Sequence, residues 1–356
     1  MGSFFNTLCA SGLLAITSGF AHASETALDK QLKAAQATGE LQGLHSTIVD
    51  LKGQRLAQVY FSGKDERWGT ALGERQHGPQ TLHDLRSVTK SITGLLYGIA
   101  LTEGKVPPLS SPLLDHFPEY ADLRDGSARE RILVEHALSM TMGSQWNENL
   151  PYSDPRNSEI VMENTTDRYR YVLEQPMVFE PGTKWTYSGG AVALIGRLIT
   201  KGTGKPLEQY AREMLFDPMG ITDFEWVKGK DGVASVASGL RLSTTDLAKI
   251  GEMLVHDGVY KDTHIVPKSW LQRSFQSHTS IEKGLRYGYL WYILGPENNP
   301  IVFAAGNGGQ RLTLRQSIDF VTVSFAGRYN DPQALQTPIK VLEKFVVPEV
   351  QRALEQ

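Results

Sequence analysis

A chain of 356 residues, 40% hydrophobic and 21% charged, is long enough for one large core or two smaller ones and has the balance of a soluble globular protein. Its formal net charge of −3 sets up no field that would gather nucleic acid or an anionic membrane surface, so neither is expected as a partner. With one cysteine, Cys9, a disulfide framework is excluded.

In chain order, residues 1–23 contain no Asp, Glu, Lys or Arg and end in Ala21-His22-Ala23, a small-x-small cleavage pattern. They are read as an export signal, although a basic n-region is missing. The mature chain would then be periplasmic or secreted and free of cysteine; without such a signal it would be cytoplasmic. Interrupted by Ser, Gly and Thr, the apolar stretch is a poor membrane span, and no stable membrane insertion is expected. Residues 45–62 predict two short strands around a Lys52-Gly53 turn, with Ala57, Val59 and Phe61 alternating with polar neighbours. Residues 86–101, "RSVTKSITGLLYGIAL", place Ile92, Leu95, Leu96 and Ile99 on one helix stripe, stopped near Gly104.

Residues 110–275 are mostly helical in pattern. Helices are expected in "RILVEHALSM", "GAVALIGRLITKGTG", "PLEQYAREMLFDPMG" and "TTDLAKIGEMLVHDG", the last capped by Thr244 or Thr245, and no strong strand signal interrupts them. Strands are expected again at 286–294, 301–306, 310–314 and 319–327. A closing amphipathic helix follows around Ile339, Leu342 and Phe345. The expected fold class is α+β: an antiparallel sheet formed from both chain ends, flanked by helices, with a large mostly helical insertion. As domains this gives 24–105 with 276–356 as a discontinuous α/β unit, and 106–275 as a helical one.

Ser87 and Lys90 stand three apart at the head of the buried helix, hence on one face. A helix N-terminus favours developing negative charge, a serine needs a nearby base to attack a carbonyl, and a buried lysine can be that base. The plain alternative is a serine N-cap with a solvated first-turn lysine. Ser280 and Lys283 show the same spacing in a polar loop, so spacing alone is weak evidence. Tyr187 sits in a loop just before another buried helix, and "FAAGNGGQRL" (303–312) is a glycine-rich strand approach of the kind an oxyanion site requires. No Gly-x-Ser-x-Gly elbow, His-Glu-x-x-His, phosphate loop or dinucleotide fingerprint occurs, and the nine histidines are scattered, so no metal or other cofactor is expected.

Five segments in order resemble the serine β-lactamase and penicillin-recognising hydrolase superfamily, in its esterase, class C β-lactamase and aminohexanoate-oligomer hydrolase branch. They are "RSVTKSITGLLYGIALTEGKV", "ILVEHALSMTMGSQWNE", "EPGTKWTYSGG", "LFDPMGITDFEW" and "GNGGQ". The resemblance implies Ser87 as acylated nucleophile, Lys90 as the group that takes its proton, and Tyr187 as proton relay to the leaving group. Tyr187 would then need a lowered pKa beside Lys90. It also implies backbone N–H groups of Ser87 and Gln310 as the oxyanion hole. Asn307 stands where the family carries Lys or His, and Gly189 where it carries Asn or Ser; both changes weaken the case for β-lactam or peptide substrates. Arg311 could replace the missing cation or point away along its strand. Trp146 and Tyr152 are candidates for an apolar acyl or amine pocket, with Asn307, Gly308 and Gly309 on its other side. The expected activity is cofactor-free hydrolysis of small carboxylic esters or amides through an acyl-enzyme on Ser87. The alternatives are a β-lactamase or D-alanyl peptidase, or a catalytically silent ligand-binding protein on the same fold.

Overall fold

The structure, a computed structural model, describes residues 25–356; the expected export signal and Cys9 lie outside the described residues. Its centre is an eight-stranded sheet. The strands are β1 (Leu44–Leu51), β2 (Gln54–Tyr60), β3 (Thr279–Glu282), β4 (Leu285–Tyr287), β5 (Tyr292–Leu294), β6 (Ile301–Gly306), β7 (Gln310–Arg315) and β8 (Phe320–Ala326). Their spatial order is β3-β4-β5-β6-β7-β8-β1-β2, antiparallel throughout. The amino-terminal hairpin therefore docks beside the carboxy-terminal strands, and the sheet is made from both ends of the chain. Lys52 and Gly53 both take positive φ (50° and 72°), as a tight two-residue hairpin demands.

Alternation along the strands divides the apolar side chains between two faces. Val49, Leu51, Ala57, Val59 and Phe320 pack with Leu28 and Leu32 of α1 (Ala27–Ala37) and with Val341, Val346 and Val350 near the carboxy terminus. Ile48, Leu312, Leu314, Val321 and Val323 face the larger core. That core continues through α2 (Val88–Thr102) and the helices of the middle segment: α3 (Ser158–Asn164), α4 (Gly189–Thr203) and α5 (Thr244–Val255). α2 packs on α4, and α5 lies on β1, β7 and β8. Nearly every residue of α2 is buried, and Gly98 admits no side chain because a Cβ there would stand 2.1 Å from the Trp270 ring.

Several local expectations shift. The 286–294 run is two strands, broken where Gly288 is pressed against the Ser274 carbonyl (2.0 Å from a Cβ position) and Leu290 takes φ +64°. The α5 cap is Ser243, one residue earlier than expected, its Oγ accepting from Asp246 N at 3.0 Å. In "RILVEHALSM" only Val134–Leu138 is α-helical, and Arg131 ends a preceding 3-10 turn. The closing helix runs on from Gln336 into α6 (Val347–Glu355), but it widens over Val341–Val346, which rotates the buried stripe onto Val341, Val346 and Val350 and leaves Leu342 and Phe345 half-buried. The middle also carries Glu225–Trp226 and Leu240–Leu242, which form a three-stranded ribbon with His83–Asp84. Elements of two or three residues are too short to leave a periodic signal. This ribbon matters because it delivers the chain to Ser87. Among the described residues no helix is long and apolar enough to cross a membrane.

Candidate active site

Leu85 N donates to Leu240 O at 2.9 Å, ending the ribbon, and the chain turns into α2 through Arg86, which takes φ +49°. A positive φ on a long side chain is strained and is held here by its surroundings. Ser87 follows at the helix start. Its hydroxyl makes no capping hydrogen bond, which removes the plain N-cap reading. Lys90 is not solvated either: it is 1% exposed. Its Nζ donates to Ser87 Oγ at 3.2 Å and to the Ala237 carbonyl at 3.1 Å, and lies 4.8 Å from the centre of the Tyr187 ring. Three side chains from two distant segments thus share one buried cleft.

Two carboxyl groups complete the cluster, and sequence reasoning missed both. Glu159 Oε2 lies 3.6 Å and Glu148 Oε2 4.0 Å from Lys90 Nζ. Burial, then the charge of Glu159, pushes Glu148 up to about 8, so it is a neutral acid at neutral pH. Glu159 moves the other way, its burial outweighed by Lys90 and by hydrogen bonds from Glu148 and Ser238. Trp146 Nε1 donates to Glu148 Oε1 at 2.5 Å, and Gly189 N donates to the same oxygen. The Gly189 departure now has a physical cause: a Cβ there would meet the Glu159 carboxyl at 3.0 Å and Glu148 Oε1 at 3.1 Å. The glycine leaves room for the pair. The one available sequence signal was the clustering of Glu148, Tyr152 and Glu159 around an otherwise polar loop.

Tyr187 departs from expectation. Its phenol is pushed well above the ordinary tyrosine range by burial and by Glu148, against an opposing contribution from the Ser87 hydroxyl. It is therefore a neutral donor in the resting protein. Tyr152 behaves alike: half-buried, its phenol is pushed well up by desolvation and then by Glu148 and Glu159, and its hydroxyl lies 3.3 Å from Glu148 Oε2.

A pocket of about 130 Å³ opens over Ser87, lined by Trp68, Arg86, Tyr152, Ile160 and Asn307 among others. Trp146 does not line it. Trp146 packs against Gly190 and Tyr171 and braces Glu148, so it supports the cluster instead of forming an acyl pocket. Gln310, the expected oxyanion residue, is fully buried. Its side chain bridges Asn307 O (3.2 Å) and both backbone groups of Ala326, while Asn307, just beyond the last ladder pair, reaches the pocket instead. Gly308 and Gly309 take φ +99° and +98° and carry the chain past Tyr329 and Ala326 rather than along the pocket. The Asn307 side chain is occupied by Asn330, donating to its Oδ1 at 2.8 Å and accepting from its N at 2.9 Å. Arg311 points away: its Nε donates to Thr313 Oγ1 at 2.9 Å, its guanidinium covers the Phe303 ring, and Glu343 near the carboxy terminus is the charge that faces it. Arg86 is the cation at the pocket, and Glu66 and Asp84 already pair with it.

A family model described as Beta-lactamase matches residues 28–339. The chain belongs to that family. Relatives include a 6-aminohexanoate-dimer hydrolase of Paenarthrobacter ureafaciens, 24% identical over 88% of this chain and 81% of the relative. A beta-lactamase of Escherichia coli K12 is 28% identical over 52% of this chain and 47% of its own length, and a lovastatin esterase of Penicillium rubens 28% over 56% and 52%. The chain thus spans about half the length of these last two relatives. Among solved structures, EstCE1, described as a hydrolase with promiscuous acyltransferase activity, matches with TM-score 0.71 at 15% identity, covering 90% of this chain and 98% of that one. An octameric penicillin-binding protein homologue from Pyrococcus abyssi matches at 0.66 and 18%, covering 90% and 80%. These likenesses establish a shared β-lactamase-like fold of helices and antiparallel sheet.

Proposed function

We propose that the protein is a serine hydrolase that cleaves small carboxylic esters or amides through an acyl-enzyme on Ser87. The observation that carries this reading is the buried Lys90 amine 3.2 Å from an uncapped serine hydroxyl at a helix start. Lys90, acting as the neutral amine with the Glu159 carboxylate 3.6 Å away to balance the ammonium that forms, takes the proton of Ser87 as Oγ attacks the carbonyl carbon. The oxyanion that forms is met by the backbone N–H of Ser87 and, on the other side of the pocket, of Asn307 in place of Gln310. Tyr187, a neutral phenol, gives its proton to the departing alcohol or amine and regains one from Lys90. Water then attacks the acyl carbon, its proton returns through the same groups to Ser87 Oγ, and the acid leaves.

Esters and short linear amides are favoured over β-lactams for a specific reason. The third-motif side chain, Asn307, is spent on Asn330, Arg311 faces away, and Arg86 is paired, so among the described residues a substrate carboxylate finds no free cation at the pocket. The names of the lovastatin esterase and the aminohexanoate-dimer hydrolase fit the same preference. Incubation with p-nitrophenyl short-chain esters and with a penicillin, followed by product release and intact mass, tests it. Turnover of the ester without a lasting penicilloyl adduct is the expected result. A stable adduct would favour the β-lactamase or silent-binder reading, and a Ser87→Ala variant as active as the parent would remove the assignment altogether.

A further inference from the structure

Histidines far apart in the sequence meet behind the site. His45 lies on β1, His77 follows the hairpin ribbon Ser62–Arg67 and Thr70–Gln76, and His83 stands four residues before Ser87. All three are buried, and one donor nitrogen from each lies within 4.8 Å of the others. His45 Nδ1 and His83 Nε2 face each other at 2.9 Å. His83 Nδ1 is 3.1 Å from the Asp84 carbonyl, which a donated N–H satisfies, leaving a lone pair on Nε2. The Lys64 carbonyl lies near the far side of the His45 ring, beside Nε2. Either a proton on His45 Nδ1 or a cation therefore joins these two nitrogens.

A carboxylate and two orphaned atoms complete the set. Asp65 Oδ1 is 3.6 Å from His83 Nε2 and accepts from Tyr329 at 3.1 Å. Asp65 Oδ2 and His77 Nε2 are both buried and find no hydrogen-bond partner among the described residues, and their residues are each only 4% exposed. Leaving such atoms bare is unfavourable, because each has given up its water without gaining a partner. Space is also shaped for this: a Cβ on Gly63 or Gly327 would strike the His45 ring at 2.5 Å or 2.3 Å.

We propose that His45, His77 and His83, with Asp65 as fourth ligand, form a buried site for one divalent transition-metal ion, with Zn²⁺ the best match. Three imidazoles and one carboxylate suit a closed tetrahedral Zn²⁺ site better than Mg²⁺ or Ca²⁺, which take oxygen ligands. Donors around Zn²⁺ stand about 3.4 Å apart at bond lengths near 2.1 Å, so an entering ion spreads the His45–His83 pair from 2.9 Å and tilts the His45 and His77 rings out of their 4.0 Å stack. The carbonyls of Asp84 and Lys64 and the Tyr329 hydroxyl are the outer groups that orient the ligands. The ion pins the 62–76 ribbon and the approach to Ser87 onto the main sheet. It takes no part in bond cleavage, because the ligand set is closed and the residues of the pocket are not in it.

The test is metal content and titration on the untagged full chain. After dialysis against a chelator, Zn²⁺ alone is titrated by calorimetry, and Co²⁺ is added separately to read the visible bands of tetrahedral coordination. One equivalent of Zn²⁺ per chain is expected, with affinity falling about 10- to 100-fold or more in His77→Gln and in Asp65→Asn. A Ser87→Ala variant should bind unchanged, which separates this site from the hydrolase assignment. Absence of saturable Zn²⁺ binding, or stoichiometric binding that survives both replacements, overturns the proposal. Should either variant fail to fold, X-ray absorption of the zinc-loaded parent decides: three imidazoles with one oxygen support the site, and fewer than three overturn it.

Discussion

Helix α3 carries two glutamates one turn apart, Glu159 and Glu163, and they meet opposite fates. Glu163 belongs to a closed ionic cluster. Arg168 holds Asp231 through two contacts of 2.6 Å and Glu163 through contacts of 3.2 and 3.4 Å, and Ser235 donates to Glu163 at 2.6 Å. Glu159 belongs to an open one, where a single ammonium serves two carboxyl groups, a hydroxyl and a carbonyl, and Glu159 Oε2 is left over. Burial is nearly the same in both places. What differs is the match of donors to acceptors. A planar guanidinium fork fills its partners and locks them. An amine with too many claimants leaves a mobile proton, which a structural ion pair does not need and an acid–base site does.

That contrast can be broken by substitution. Ser87→Ala should lower ester kcat/KM by roughly 10⁴-fold or more with the thermal transition unchanged, measured by steady-state kinetics beside a melting curve. Arg168→Met should do the reverse. It strands Glu163 and Asp231 and should cost about 3–5 kcal/mol of stability in denaturant unfolding, while the folded fraction keeps its rate. If Arg168→Met instead silences a stable protein, the two clusters are not distinct. Glu159→Gln removes the charge facing Lys90 and should cost about 100-fold in kcat, with a smaller change in KM.

Glu148 gives the finest test. Held at about 8 in the folded chain against 4.5 unfolded, it binds a proton in the native state that the unfolded state releases. Its contribution to stability is therefore fully present below about pH 4.5 and declines as pH rises to about 8. Activity should also fall above about pH 8, where Glu148 ionises and adds a second negative charge to the cleft in which the oxyanion must form. Glu148→Gln keeps the neutral form, so a change of only a few-fold at pH 7 is expected, with both pH dependences flattened. Retention of the alkaline fall in that variant would move its origin elsewhere.

The amino-acid pattern alone determined the paired ends of the sheet, through alternation at β1, β2 and β8, and the buried stripe of α2 with Ser87 and Lys90 at its head. Periodicity encodes which face is buried, and spacing on a helix encodes which side chains can touch. Tertiary structure decided the rest. It brought Glu148 and Glu159 against Lys90, raised Tyr187 where a lowered value was expected, moved Gln310 out of the pocket and set His45 beside His77 and His83. Those facts depend on desolvation and on contacts between segments far apart in sequence, and neither quantity is carried by any local run of residues.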